Sequence, residues 1–213
     1  MSTMRIRNAR VFNSYTQTFE EKSVLIRDGQ FAQLQETKEE QCCPVDQEID
    51  ARGRWMIPGL IDIHMHVESS MTIPTEFSRQ ALSFGVTTVV ADPHEIANVS
   101  GKDGLRYMIE SSEGLPLTVY FVIPSCVPAT SFDESGAVLS ADDIEEFYSE
   151  SRVLGLGEVM NYVGVVAGDG ELEKKIKSAL SRGLVVNGHA PLLSGKPLDK
   201  YNDSLCGLLN LKY

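Results

Sequence analysis

Five times between residues 56 and 201 an apolar, strand-sized run is followed by a helical pattern, and this alternation constrains the fold more than any other feature. MIPGLIDI leads to a helical stretch near 74–84, VTTVVAD to one near 95–111, and PLTVYFVIP to one near 141–150. VLGLGEV and LVVNGHA precede helical stretches near 170–182 and 196–201. Strands that alternate with helices pair in parallel, because each crossover returns the chain to the same end of the sheet. The units recur at roughly 30 residues, which suits a (β/α)8 barrel, although five units are fewer than the eight that close one. An open parallel sheet is the other arrangement compatible with the pattern.

The segment before residue 57 has a different character. RIRNARVF and SVLIR read as short strands, and an Asp28-Gly29 turn leads from the second into FAQLQ, so a small antiparallel sheet is expected there. The following ETKEEQCCPVDQ is polar and loop-like. With 42% hydrophobic and 23% charged residues the chain can bury a core. Its 19 Lys+Arg against 30 Asp+Glu give a net charge of −11, and no basic run is long enough to track a nucleic-acid backbone. Apolar stretches are far shorter than the ~18–20 residues of a membrane span. MSTMRIRNARVF lacks the apolar core of a signal peptide, so a cytoplasmic location is expected. Cys42, Cys43, Cys126 and Cys206 show no CxxC spacing; reduced thiols are expected, with metal binding by the adjacent pair as the alternative.

Chemistry-bearing residues recur at the C-terminal ends of the five strand candidates. The first, over 56–63, ends in His64 and His66, and the second runs into Asp92-Pro93-His94-Glu95. The third leads to Ser125-Cys126, the fourth to Glu158 and the fifth to His189. In a parallel barrel these ends share one rim, where active sites are built. All four histidines of the chain lie there. Residues i and i+2 of a strand face the same way, roughly 6.5–7 Å apart, so His64 and His66 can converge on one cation. Two histidines hydrogen-bonded at a strand end is the plainer alternative. Glu158 and His189, each ambiguous alone, join the pair as ligands when the four are taken together, with Glu158 able to bridge two cations.

Other residues carry two readings. Asp92 and Pro93 fit an N-cap and first helical position; alternatively His94 and Glu95 lean over the site as catalytic groups that relay protons. Ser70 can cap the next helix, or Glu68 and Ser69 can face a substrate together with Asp92 and Ser125. His66-Val67-Glu68 spells the H-x-E of zinc cytidine-type deaminases, but these need a later P-C-x-x-C, and Cys126 has no second cysteine three residues on.

GLIDIHMHVESSM, TTVVADPHEIANV, PSCVPAT, GLGEVMNY and NGHAPLLSG, in this order and spacing, resemble the bacterial adenine deaminases of the amidohydrolase superfamily over roughly residues 50–202. The resemblance implies a (β/α)8 barrel, here over residues 58–213, preceded over 1–57 by part of a small β-sandwich. It implies two divalent metals, manganese or iron, with His64 and His66 on the first, Glu158 bridging, and His189 on the second. It also implies that metal-activated water attacks C6 of adenine and ammonia leaves to give hypoxanthine, and that full-length relatives are homo-oligomers. A hydrolase of a cyclic amide or amino sugar, or a remnant without chemistry, are the alternatives.

The chain also departs from that family. Asn187 stands where an aspartate is common before GHAP, and Val163 where MNYPG is expected. No later strand ending in Ser-Asp-His-Glu follows, and LCGLLNLKY does not resemble the family. The expectation is therefore a C-terminally truncated form with about five of eight βα units and impaired activity.

Overall fold

The antiparallel strands expected at the start of the chain form. The computed structural model describes residues 2–36 and 44–206, so Cys42, Cys43 and most of the closing LCGLLNLKY lie outside the described residues. Strands β1 (Thr3–Asn13) and β2 (Thr18–Arg27) pair antiparallel, as do β2 and β3 (Gln30–Glu36). Asp28 and Gly29, between β2 and β3, have φ of 50° and 78°, the two left-handed residues of a tight hairpin turn. Strands β4 (Gln47–Asp50) and β5 (Trp55–Met56) add in parallel to β1, a feature the sequence pattern did not disclose. A second layer that would make this sheet a sandwich is not among the described residues.

The chain divides into two compact units, Met1–Gly59 and Leu60–Tyr213. This division corrects the reading of 56–63 as one strand. Met56 pairs with Val11 in the first sheet, whereas β6 (Leu60–Met65) belongs to the second. Between them stand Pro58, which has no amide hydrogen to donate to a ladder, and Gly59, which stiffens the backbone least.

In the second unit β6, β7 (Val86–Ala91), β8 (Thr118–Pro124), β9 (Val153–Val159) and β10 (Val185–Gly188) pair in parallel in the order of the sequence. Helices α1 (Pro74–Ser83), α2 (His94–Ser111), α3 (Ala141–Glu145), α4 (Tyr162–Ala167), α5 (Gly170–Ser181) and α6 (Lys196–Cys206) lie between and after the strands. The unit is an open half-barrel of five βα units, a partial (β/α)8 barrel. Its central strand is buried on both faces, since Val119, Phe121, Val122 and Ile123 are all at most 3% exposed. That accounts for the unbroken apolar run TVYFVI. Leu105, Met108, Leu117, Ile144 and Phe147 pack against it in one core.

Local signals set the helix ends. Pro74 stands at the first turn of α1, and the Asp169 side chain accepts from Glu171 N and Leu172 N at the start of α5. Ser140 and Asp143 form a reciprocal capping box on α3. The α-helix expected over 141–150 stops at Glu145 and continues as a 3-10 turn, Glu146–Ser149. Helix α4 was not anticipated, and α6 continues five residues past Tyr201.

Candidate metal centre

The centre begins where β6 and β9 end. His64 is the fifth residue of β6, and His66 follows just past its end. Their rings meet edge to face with centroids 5.1 Å apart, and His66 meets His94 in the same way at 4.6 Å. Glu158, the penultimate residue of β9, is the hub. Its Oε1 lies 2.8 Å from His64 Nε2, 3.6 Å from His66 Nε2 and 4.0 Å from His189 Nε2. Its Oε2 lies 3.1 Å from His94 Nδ1. One carboxylate thus faces all four histidines of the chain, a different group on each oxygen.

The backbone at Glu158 is unusual. Its φ of 35° is left-handed, a conformation that costs a side-chain-bearing residue free energy unless neighbours fix it. Here they do. Glu158 N donates to Asn187 Oδ1 at 2.8 Å, and Glu158 O accepts from Ser125 Oγ at 2.9 Å and from Met160 N at 2.6 Å. Ser125 is buried, and Asn187 and His189 sit two residues apart at the end of β10. The sequence offered no sign of these roles, apart from Asn187 standing where an aspartate is common.

His66 has one tautomer open to it. Its Nδ1 lies 2.7 Å from the Asp92 carbonyl, which can only accept, so Nδ1 carries the hydrogen and Nε2 turns its lone pair toward Glu158. Asp92 is held in turn by its own N–H, which donates to Met65 O at 2.9 Å.

The side chain of Asp92 corrects the capping expectation. Helix α2 starts at His94 with Pro93 in the capping position and no side-chain cap. Asp92 is 0% exposed, and neither carboxyl oxygen has a hydrogen-bond partner. Its nearest opposite group is His94 Nδ1 at 3.6 Å, too long for a hydrogen bond and therefore a Coulombic contact. Burial raises the Asp92 pKa, His94 opposing the shift, while the Asp92 carboxylate is the chief cause of a raised pKa at His94. An orphan amide of α2 is instead met by Glu68, whose Oε1 accepts from Ile96 N at 3.2 Å. Ser70 does not cap α1 either; its hydroxyl donates to Val67 O.

The remaining expected site residues are distributed as follows. Ser69 donates to Glu95 Oε1 at 2.5 Å, and the other Glu95 oxygen lies 3.6 Å from His66 Nδ1. Burial raises the Glu68 pKa. His189 is the most open histidine of the group, its side chain 56% exposed. Among the described residues, donor atoms of His66, Asp92, His94 and Glu158 all lie within 4.8 Å of one another. Imidazoles crowded onto carboxylates, with a buried unpartnered carboxylate among them, fit a divalent cation bound through nitrogen and oxygen. Among the described residues, no helix is long and apolar enough to cross a membrane.

Known proteins share both the sequence and the fold. Adenine deaminase of Nitratidesulfovibrio vulgaris (strain DP4) is 46% identical over 196 residues, 92% of this chain and 33% of that protein. Adenine deaminase of Clostridium acetobutylicum is 52% identical over 155 residues, 73% of this chain and 27% of that protein. Adenine deaminase of Thermosipho africanus is 45% identical over 207 residues, 96% and 35% respectively. The chain thus spans about a third of the length of the curated relatives it matches. Among solved structures, a mutant atrazine chlorohydrolase from Arthrobacter aurescens TC1, complexed with zinc and atraton, superposes with a TM-score of 0.63. Its identity is 17%, over 94% of this chain and 58% of that one. A beta-aspartyl dipeptidase from Fervidobacterium islandicum gives 0.58 at 23% identity, over 93% and 53%. At such identities these two speak for the fold. The model of the Amidohydrolase family matches residues 55–203, and the chain belongs to that family.

Proposed function

We propose that this chain carries the cation-binding part of an adenine deaminase, a hydrolase that replaces the amino group of adenine with oxygen to give hypoxanthine and ammonia. The observation behind this reading is the single carboxylate, Glu158, that faces four imidazoles across its two oxygens. The curated relatives supply the substrate class. His64 and His66 would hold the first cation and His189 the second, with Glu158 available to both. Manganese or iron suits such a set of nitrogen and carboxylate donors.

Bound divalent cations acidify water to a nucleophile at neutral pH and stabilise negative charge that develops on the substrate. The chain's own groups then have distinct tasks. Asn187 and Ser125 fix the Glu158 backbone, which sets the direction in which its side chain leaves β9. Glu95, within 3.6 Å of His66 Nδ1 and bound to Ser69, stands where a proton can pass between the rim and a substrate. Glu68, kept protonation-prone by burial, lines the same side of the rim.

The test is ligand-dependent thermal stabilisation of the Mn²⁺-loaded chain. Adenine is expected to raise Tm, whereas a hydantoin or an N-acetylated amino sugar is not. Stabilisation by either of those compounds in place of adenine would overturn the substrate assignment and leave the cation site standing.

A further inference from the structure

We propose that Tyr201, on α6, is a positioning residue for the candidate metal centre. Its hydroxyl fixes the end of β9 against the end of β10 and so sets where Glu158 stands relative to His189. The inference rests on reading the cluster as a metal centre, and it adds a support that comes from the helix layer.

The ladder between β9 and β10 is irregular where these two residues leave it. Val186 pairs with Leu156, but Gly188 pairs with Val159, so three steps along β9 answer to two along β10. Glu158 lies inside this bulge, and a bulge leaves backbone groups outside the ladder. Side chains take them up instead. Glu158 N donates to Asn187 Oδ1 at 2.8 Å, and the carbonyl of Val159 accepts from Tyr201 Oη at 2.6 Å. The residue after Glu158 is therefore pinned to a helix.

Gly188 shows how closely the hydroxyl is seated. An added Cβ there would collide with Tyr201 Oη, and would meet Val159 O at 2.8 Å and Val159 Cβ at 2.9 Å. The hydroxyl fills the space that a side chain at 188 would need, one residue after Glu158 on one strand and one before His189 on the other. Helix α6 is itself anchored. Tyr201 and Leu205 are buried, and Lys200 Nζ donates to Val166 O near the end of α4 at 2.8 Å. A donor on an anchored helix holds the strand end where it is. Ligand sets bind well only when held to within ~0.5 Å, and residues behind the ligands supply that precision.

The experiment is Mn²⁺ titration of the 213-residue chain, followed by the loss of the free-ion electron paramagnetic resonance signal, with urea midpoints read by circular dichroism. Tyr201→Phe removes only the hydroxyl and is expected to weaken Mn²⁺ binding about tenfold or more. Tyr148→Phe removes another buried tyrosine hydroxyl, one without a hydrogen-bond partner, and should stay within twofold of the parent. A lower urea midpoint in folded Tyr201→Phe with parent-like Mn²⁺ affinity, alongside loss in His64→Ala, would make Tyr201 a structural residue only and overturn the inference. If Tyr201→Phe fails to fold, Gly188→Ala displaces the same hydroxyl and is expected to weaken binding in the same direction. Parent-like affinity in folded Gly188→Ala would then overturn the inference. A parent chain that takes up no Mn²⁺ would overturn the metal reading and this role with it.

Discussion

Glu158 is held in a left-handed conformation by two side chains, Asn187 on its N–H and Ser125 on its carbonyl. Replacing Asn187 by Ala leaves the Glu158 N–H unpaired, and a loss of about 1–3 kcal/mol is expected in urea unfolding. Mn²⁺ affinity should fall with it. Asn187→Asp keeps an oxygen acceptor at the same place and should recover most of the stability, an outcome that mere loss of bulk would not give. Gly157→Ala pushes a methyl group into Asp92 and Val122, and overpacking of this kind costs about 1–3 kcal/mol, readable as a lower urea midpoint. At this scale the sequence was legible where strand periodicity acts, since i and i+2 brought His64 and His66 to one rim. It was not legible at Asp92, whose D-P-H-E context has the look of a helix cap. Whether an aspartate caps or turns inward depends on what else reaches the helix start, and here Glu68, distant in sequence, takes an amide of that first turn.

Helix α5 reaches across to the loop after β8 through one buried lysine. Lys175 Nζ donates to Ser125 O at 2.8 Å and to Leu139 O at 2.6 Å, and Leu139 N bonds Val127 O, so both ends of loop 125–139 are tied. Ser125 is the residue that steadies Glu158, so the helix supports the site at one remove. Burial lowers the Lys175 pKa, and nearby Cys126, Glu171, Asp169 and Asp143 oppose the shift. A lysine whose folded pKa lies below its unfolded value binds fewer protons when folded. Its contribution to stability therefore rises with pH, from the lowered value up to the ordinary lysine value near ~10.4. Lys175→Met is expected to remove that rise, seen as a flatter dependence of the urea midpoint on pH below the ordinary lysine value near ~10.4. It should also cost about 1–3 kcal/mol at pH 7 through the two stranded carbonyls. The strands were legible as elements because buried parallel strands read as apolar runs. Helix α4 was not, being a single short stretch (YVGVVA) whose β-branched residues read equally as strand or loop.

In the second unit the five strands follow the order of the sequence, and this was legible because each helical crossover forces parallel neighbours. The parallel additions to the first sheet were not, since β4 and β5 are only four and two residues long and carry too little pattern to read. Strands β6 and β10 stand at the edges of the second sheet, and Leu60, Ile61 and Ile63 on β6 are half or more exposed. Edge strands leave backbone groups open to exchange and to pairing with other chains. Hydrogen exchange of the 213-residue chain should therefore be slowest in β8 and fastest in β6 and β10. Uniform protection across the five strands would show that the edges are covered in solution.

The central claim is that Glu158 organises a divalent-cation centre in this chain, and Mn²⁺ binding by Glu158→Gln tests it most directly. The substitution keeps the size of the side chain while removing its charge and one anionic oxygen. Equilibrium dialysis is expected to show Mn²⁺ uptake by the parent chain and at least a hundredfold weaker uptake by the variant, with both folded by circular dichroism. Equal Mn²⁺ uptake by parent and variant would contradict it.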